Sequence, residues 1–330
     1  MNKKKYRHLL TATTLLLSLS TACTQVTDEL QEKESRENTL QLSSLTLVQD
    51  PQATPRVVTT QSLSAIRLYA TDNTASHNTY TGAAGSNSKG YADFTRSGNN
   101  WILSATGNKI VIDTNNPPVI HAFYPSTLEV TNAGGNTHTV PVDIKATNNF
   151  TGDEQTDYLY APPVTMDKGA KTVAVTLKHA LAKVSFRIEK AGNVTETVTV
   201  TRVEILSKSN GLHMGSHIPM SLDNGSLDGL ISTASLSLTG GSNLTENLSS
   251  PNITCLVAPT RLPADDLSFR LTISGQDEPL TTAPVRTAQT WEAGRHYVYH
   301  ITVNKLEAGF SGMKVYDWQS DANQDTSIGI

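Results

Sequence analysis

The chain has 330 residues, of which 37% are hydrophobic and 17% charged, with a formal charge of −4 and two cysteines. That length is enough for two domains with buried cores. The acidic balance supplies no electrostatic footprint for nucleic acid, so nucleic-acid binding is excluded as a function class.

In chain order, Lys3, Lys4, Lys5 and Arg7 precede an apolar run from Leu9 to Leu19, and Ser20-Thr21-Ala22 leads to Cys23. This is the layout of a secretory signal peptide over residues 1–22. The apolar run spans 11 residues, about half of the roughly 20 a membrane-spanning helix needs, so a permanent span is not expected. A Cys directly after small residues marks a lipoprotein signal, because its thiol receives a diacylglycerol before the peptidase cuts in front of it. Cys23 stands at that point, with Leu19 one place earlier than the usual leucine. The alternative is an ordinary signal cut after Ala22 that leaves Cys23 unmodified. Removal of residues 1–22 takes away four basic and no acidic residues, which leaves 22 Lys and Arg against 30 Asp and Glu and a formal charge of −8. With Cys23 acylated, Cys255 has no partner, so an intrachain disulfide framework is excluded. Its setting, Ile253-Thr254-Cys255-Leu256-Val257, predicts a small buried hydrophobe.

Residues 23–39 are polar and acidic, with Asp28, Glu29, Glu32, Glu34 and Glu37, and read as a flexible tether. Those acids beside the lipidated Cys23 are also a candidate address for export to the cell surface. Beyond the tether, apolar and polar residues alternate in short runs, as in half-buried strands. The first holds Leu40 and Leu42, then Leu45 and Leu47; others hold Val173, Val175 and Leu177, then Val184, Phe186 and Ile188, then Val198, Val200, Val203 and Ile205. Leu267 to Ile273 and Tyr297 to Val303 alternate in the same way near the end. Turn clusters such as Asn132 to Asn136, Asp223-Asn224-Gly225 and Gly240 to Asn243 separate them. Many short strands without a long helical period predict an all-β chain of two β-sandwich domains, divided at 40–178 and 179–330. The Gly-, Ser- and Asn-rich stretch from Asn73 to Asn99 is expected to be an extended surface loop or hairpin tip.

No enzyme site can be assembled from the residues. His213 and His217 have metal-ligand spacing only on a helix, which Gly211, Gly215 and Pro219 oppose, so they are expected to be surface or loop histidines. The pairs Asp153-Glu154, Asp265-Asp266 and Asp277-Glu278 read as solvated turns, not as carboxylates facing each other across a cleft. No G-x-S-x-G elbow is present. Trp101, Trp291 and Trp318 could stack on sugars, but each sits in a strand pattern where core packing is the expected role. Neither a metal nor a cofactor is expected.

Asp157-Tyr158-Leu159-Tyr160-Ala161, followed by Val173 to Leu177 and then His179-Ala180-Leu181-Ala182-Lys183-Val184, resembles the middle of the Bacteroidales fimbrillin family, the Mfa-like subunits of type V pili. Ala122-Phe123-Tyr124-Pro125 is similar to that family's aromatic-Pro element. Trp291 to Tyr299 is similar to its "A-G-x-x-Y-x-Y" strand entry, and Val315 to Trp318 to its terminal "I-x-x-W". The landmarks run in family order from Leu40 to Trp318.

The resemblance implies a pilus subunit or surface adhesin that is exported through the periplasm as a lipoprotein and tied to outer-membrane lipid through Cys23. A trypsin-like, Arg-specific protease would then remove the first strand, and a strand from another fimbrial subunit would fill the groove. The displaced strand would carry Leu40, Leu42, Leu45 and Leu47. The cut is expected after Arg56 and not after Arg36, which precedes the strand. The donor is expected within residues 313–330, where Val315, Tyr316, Trp318, Ile328 and Ile330 are apolar, although these residues could equally close their own domain. His179 is expected to be a hydrogen-bonded structural residue. The alternative is a monomeric lipid-anchored adhesin, a tip or anchor component that binds a host glycan or protein.

Overall fold

The computed structural model describes residues 38–48, 62–83, 86–105, 107–132, 137–304 and 307–317. Among them the chain is all-β, with no helix. The strands are β1 (Gln41–Leu47), β2 (Ala65–Thr71), β3 (Tyr91–Ser97), β4 (Asn100–Leu103), β5 (Val119–Tyr124), β6 (Thr131–Asn132), β7 (His138–Ile144), β8 (Thr147–Asn149), β9 (Leu159–Thr165), β10 (Thr172–His179) and β11 (Ala182–Lys190). They continue with β12 (Thr199–Ser207), β13 (Leu212–Ser221), β14 (Ile231–Thr233), β15 (Ser235–Asn243), β16 (Ile253–Val257), β17 (Thr260–Leu262), β18 (Leu267–Ile273), β19 (Leu280–Thr281), β20 (Gln289–Trp291), β21 (Arg295–Val303) and β22 (Ala308–Asp317).

A seven-stranded sheet in the order β1-β10-β9-β5-β2-β3-β4 forms the first half of the molecule. It curls until its two ends, β1 and β4, lie side by side with no ladder bonds between them. Its concave face holds one core, with Leu40, Ile66, Leu68, Phe94, Ile120 and Leu177 all fully buried. A second core lies between the sheets β16-β11-β21-β22 and β19-β18-β12-β15-β8, which pack face to face as a sandwich. There the Phe186 and Phe269 rings meet edge to face at 5.2 Å between centroids, a favoured aromatic geometry.

A third cluster joins the two. The sheet β14-β13-β7-β6 lays Val140, Val142, Met220 and Leu222 on the convex face of the seven-stranded sheet, against Tyr69, Phe123 and Tyr160. Because β2 is covered on both faces, it is buried almost throughout, unlike a half-exposed strand. Arg67 is tolerated there because its guanidinium makes paired hydrogen bonds to Asp93 at 2.7 and 3.1 Å and stacks on Tyr91. β7 and β8 precede residue 178 yet pair with β13 and β15, which follow it, so the sheets interlock across that point.

Two local expectations are corrected, and a third is corrected in part. The Gly-, Ser- and Asn-rich stretch from Asn73 to Asn99 is not all loop: it contains β3, with Ala92 and Phe94 buried, and Tyr80 packs into the first core. Only two side chains carry the alternation of β3, too few to stand out against the polar composition. His213 and His217 lie on strand β13 and not in a loop, although His217 is exposed as a surface histidine is; it sits at a bulge with φ of 55°, where its backbone N–H bonds Asp143 Oδ1 at 2.8 Å. Asp266 is not a solvated turn residue but is 4% exposed, accepting bonds from Ser207 Oγ at 2.5 Å and the Ser209 N–H at 2.7 Å.

Candidate strand-exchange site

β1 is an edge strand, and its sequence explains why it stays in register. Leu40 and Leu42 point into the first core, and so do Leu45 and Leu47, although Leu42 and Leu45 are three apart and a strict period of two would turn one pair outward. A bulge at Ser43 absorbs the extra residue, since Leu42 lies opposite Val173 and Ser44 opposite Ala174. Ser43 Oγ donates to Val173 O at 2.9 Å and holds the bulge in place. Leu40, Leu42 and Leu47 are buried, and Leu45 is half-buried. The strand is anchored beyond its ends by the Leu40 N–H to Ile110 O at 2.8 Å and the Val48 N–H to Leu177 O at 3.1 Å.

β10 depends on this neighbour. It pairs in parallel with β1 from Thr172 to Leu177, but with β9 only at Lys178 and His179. Among the described residues, Thr172 to Leu177 therefore take their ladder from β1 alone. Removal of β1 would leave that edge unpaired above Val173, Val175 and Leu177, which are buried, and would open the floor of the concave core. Such an edge takes up any strand whose apolar side chains match its pockets.

The far end of β10 is fixed independently of β1. His179 Nδ1 lies 3.0 Å from both carboxylate oxygens of buried Asp157, which ties the end of β10 to the start of β9. The Ala180 N–H bonds Tyr158 O, and the Gly294 N–H bonds Leu181 O, each at 2.9 Å. Trp291 Nε1–H donates to Tyr299 Oη at 2.8 Å, and that hydroxyl reaches Gln289 Oε1 at 3.0 Å. Burial pushes the Tyr299 hydroxyl pKa far above that of a free tyrosine. The motif residues Asp157 and His179 thus join the end of β10 to the start of β9, while Trp291 is bonded to Tyr299 within the second core.

Beside β1 lies a groove of about 390 Å³ lined by Leu42, Leu45, Arg96, Asn99, Asn100 and Trp101. Gly98, with φ of 61°, makes the tight turn that presents this tip, and Arg96 Nε–H caps Gly98 O at 2.9 Å. Trp101 is half-buried here, whereas Trp291 is 2% exposed in the second core.

Val315 and Tyr316 fall in β22, opposite Tyr297 and His296 of β21. Cys23, Arg36, Arg56, Trp318, Ile328 and Ile330 lie outside the described residues. The structure therefore brings together the displaced-strand leucines but shows neither the cleavage points nor the end of the chain. Among the described residues no group of three or more His, Cys, Asp or Glu could hold a metal ion, and no helix is long and apolar enough to cross a membrane.

A family profile described as fimbrillin-like matches residues 54–318. Among solved structures, a fimbrial protein from Bacteroides vulgatus is similar at a TM-score of 0.55 and 13% identity, covering 85% of this chain and 99% of its own. A candidate cell adhesion protein from Bacteroides uniformis is similar at a TM-score of 0.53 and 19% identity, covering 85% of this chain and 99% of its own. Another, from Bacteroides ovatus, has a TM-score of 0.53 at 15% identity and covers 86% of this chain and 98% of its own. At these identities the likeness is one of fold. No curated protein matches.

Proposed function

The chain belongs to the fimbrillin-like family, and from that premise we propose that it is a fimbrial subunit of the cell surface, exported as a lipoprotein through Cys23 and assembled by strand exchange after Arg-specific cleavage at Arg56. Family membership points to a structural, non-enzymatic protein. The observation that carries the mechanism is the position of β1. It is an edge strand, joined to β2 by the segment that contains Arg56, and it fills a leucine-lined slot as the ladder partner of Thr172 to Leu177. A cut at Arg56 separates β1 and the lipid from the remaining chain in one step. The unpaired edge of β10 then accepts a strand from the C-terminal region of another subunit.

The experiment is Arg56→Ala in the producing cell. The expected result is a lipid-anchored monomer where the unaltered chain forms SDS-resistant multimers. Multimers formed equally well by the variant would overturn cleavage at Arg56 as the trigger.

A second reading is carried by the groove beside β1. A half-buried Trp101 next to the side chains of Asn99, Asn100 and Arg96 matches the chemistry of a sugar ring, which offers an apolar face and a rim of hydroxyls. On this reading the protein is a monomeric, lipid-anchored adhesin with Cys23 retained. Glycan binding by an uncleaved monomer that Trp101→Ala abolishes would favour it.

A further inference from the structure

The seven-stranded sheet curls so far that its two ends, β1 and β4, lie side by side, and the groove of about 390 Å³ opens in the mouth between them. Small ligands favour the mouths of barrel-like sheets and sites of about 300–1,000 Å³. The floor of the groove is apolar. On β3 the buried Ala92 and Phe94 face the first core, so Arg96, two residues further on, leaves the strand on that same face. Trp101 of β4 stands opposite Arg96 in the ladder and packs against the same core, as Leu103 does opposite Phe94. Cross-strand partners on one face have Cβ atoms about 4.5–5.5 Å apart, so the guanidinium and the indole are presented side by side. The facing wall is β1, where the bulge at Ser43 brings both Leu42 and Leu45 to the groove.

The rim is polar. Ser44, Asn99 and Asn100 line it and are exposed. Because β1 and β4 share no ladder bonds, backbone N–H and C=O groups of both edges border the gap as well. Among the described residues that line the groove, Arg96 is the one charged side chain. Its Nε–H donates to Gly98 O at 2.9 Å, which sets the plane of the guanidinium against the turn. Asp93 of β3 lies on the other face of the strand, where Arg67 binds it through paired hydrogen bonds. A cation set in the groove of a chain with a formal charge of −4 selects for an anionic group. The planar fork of a guanidinium matches a carboxylate.

Resting on the sugar-binding reading of this groove given above, we propose that its ligand is an acidic saccharide bearing a uronic or sialic acid. The sugar ring lies on Trp101, its carboxylate pairs with Arg96, and Asn99 and Asn100 bond its hydroxyls. Leu42 and Leu45 close the site from the other side, so binding needs a strand in the place of β1.

The test uses the purified, uncleaved full-length chain on an array of oligosaccharides that carry galacturonic, glucuronic or N-acetylneuraminic acid. Each is printed beside its neutral methyl ester, together with neutral glucose, galactose and N-acetylglucosamine oligomers. The expected result is binding to acids, about tenfold or more weaker binding to the esters, the worth of a charge-assisted hydrogen bond, and a loss of the difference at high salt. Arg96→Gln should bind acid and ester alike, at the weaker level. Arg96→Lys, which keeps the charge and gives up the fork, should fall between. Trp101→Ala should bind neither. The ester comparison needs no variant, so it decides even if Arg96→Gln fails to fold. Equal binding of acid and ester, or binding to neutral oligomers alone, would overturn the acidic class and leave the sugar reading standing. Absence of binding to any saccharide on the array would overturn the sugar reading and this proposal with it.

Discussion

The packing of β7 and β13 on the convex face of the seven-stranded sheet does not involve β1, so it would remain if that edge strand were removed. His121, 3% exposed on β5, sits in this packing and gives it a measurable pH dependence. Its Nε2 lies 3.5 Å from Thr71 Oγ1, and its Nδ1 lies 3.4 Å from Asp223 Oδ1. The rings of His138 and Tyr69 are at 5.9 and 6.2 Å. Burial, with smaller contributions from His138 and His77, lowers the His121 pKa from 6.5 to about 4. Asp223 pulls the other way, but its side chain is 43% exposed and solvent screens it, so burial dominates. With the folded value below the unfolded one, the unfolded chain binds more protons between these two pH values. Stability is therefore present above pH 6.5 and is lost as pH falls toward 4. At 1.36 kcal/mol per unit, the loss attributable to this ring is about 2 kcal/mol by pH 5 and roughly 3 kcal/mol below the folded value. Guanidinium unfolding of the chain and of His121→Gln at pH 7 and pH 5 isolates the ring from the carboxylates common to both. Equal changes in the two proteins would refute the reasoning.

Leu40→Ala removes a fully buried side chain from the first core and should cost the uncleaved chain about 2–5 kcal/mol. If β1 is replaced on assembly, as proposed, the substitution should leave the SDS resistance of multimers unchanged; equal losses in both states would contradict replacement of β1. Cys255 is buried, and burial raises its thiol pKa to about 12. A maleimide at pH 8 should therefore label it only on unfolding, and labelling at the rate of a free thiol would refute that placement. Gly225 has φ of 71°, and a Cβ there would stand 2.2 Å from the Tyr160 ring. Gly225→Ala should destabilise by roughly 1–3 kcal/mol in urea titrations, and an unchanged midpoint would show that the ring yields freely.

The strands legible in the sequence are those with one covered face. Val173, Val175 and Leu177 of β10 alternate with exposed residues and read directly as a strand. The step from Leu42 to Leu45 and the step from Val200 to Val203 both break the period of two. In each case the structure places a bulge at the break. Strand β2 is harder to read, because cover on both faces removes the alternation and puts Arg67 at 9% exposure. The third cluster was invisible for a different reason: pairing of β7 with β13 is a contact between distant segments, and no local period reports it. Of the site, the leucines of β1 were legible from their spacing and its edge role from the family resemblance. Neither the parallel pairing with β10 nor the sparse bonding of β10 to β9 leaves a mark in composition or period.

The most direct measurement is the N-terminal residue of subunits isolated from assembled surface fibres. If β1 is cut away and replaced on assembly, those subunits begin at Val57. Fibres whose subunits begin at Cys23, or at any residue that retains Leu40 to Leu47, would contradict strand replacement and leave β1 as a permanent part of the fold.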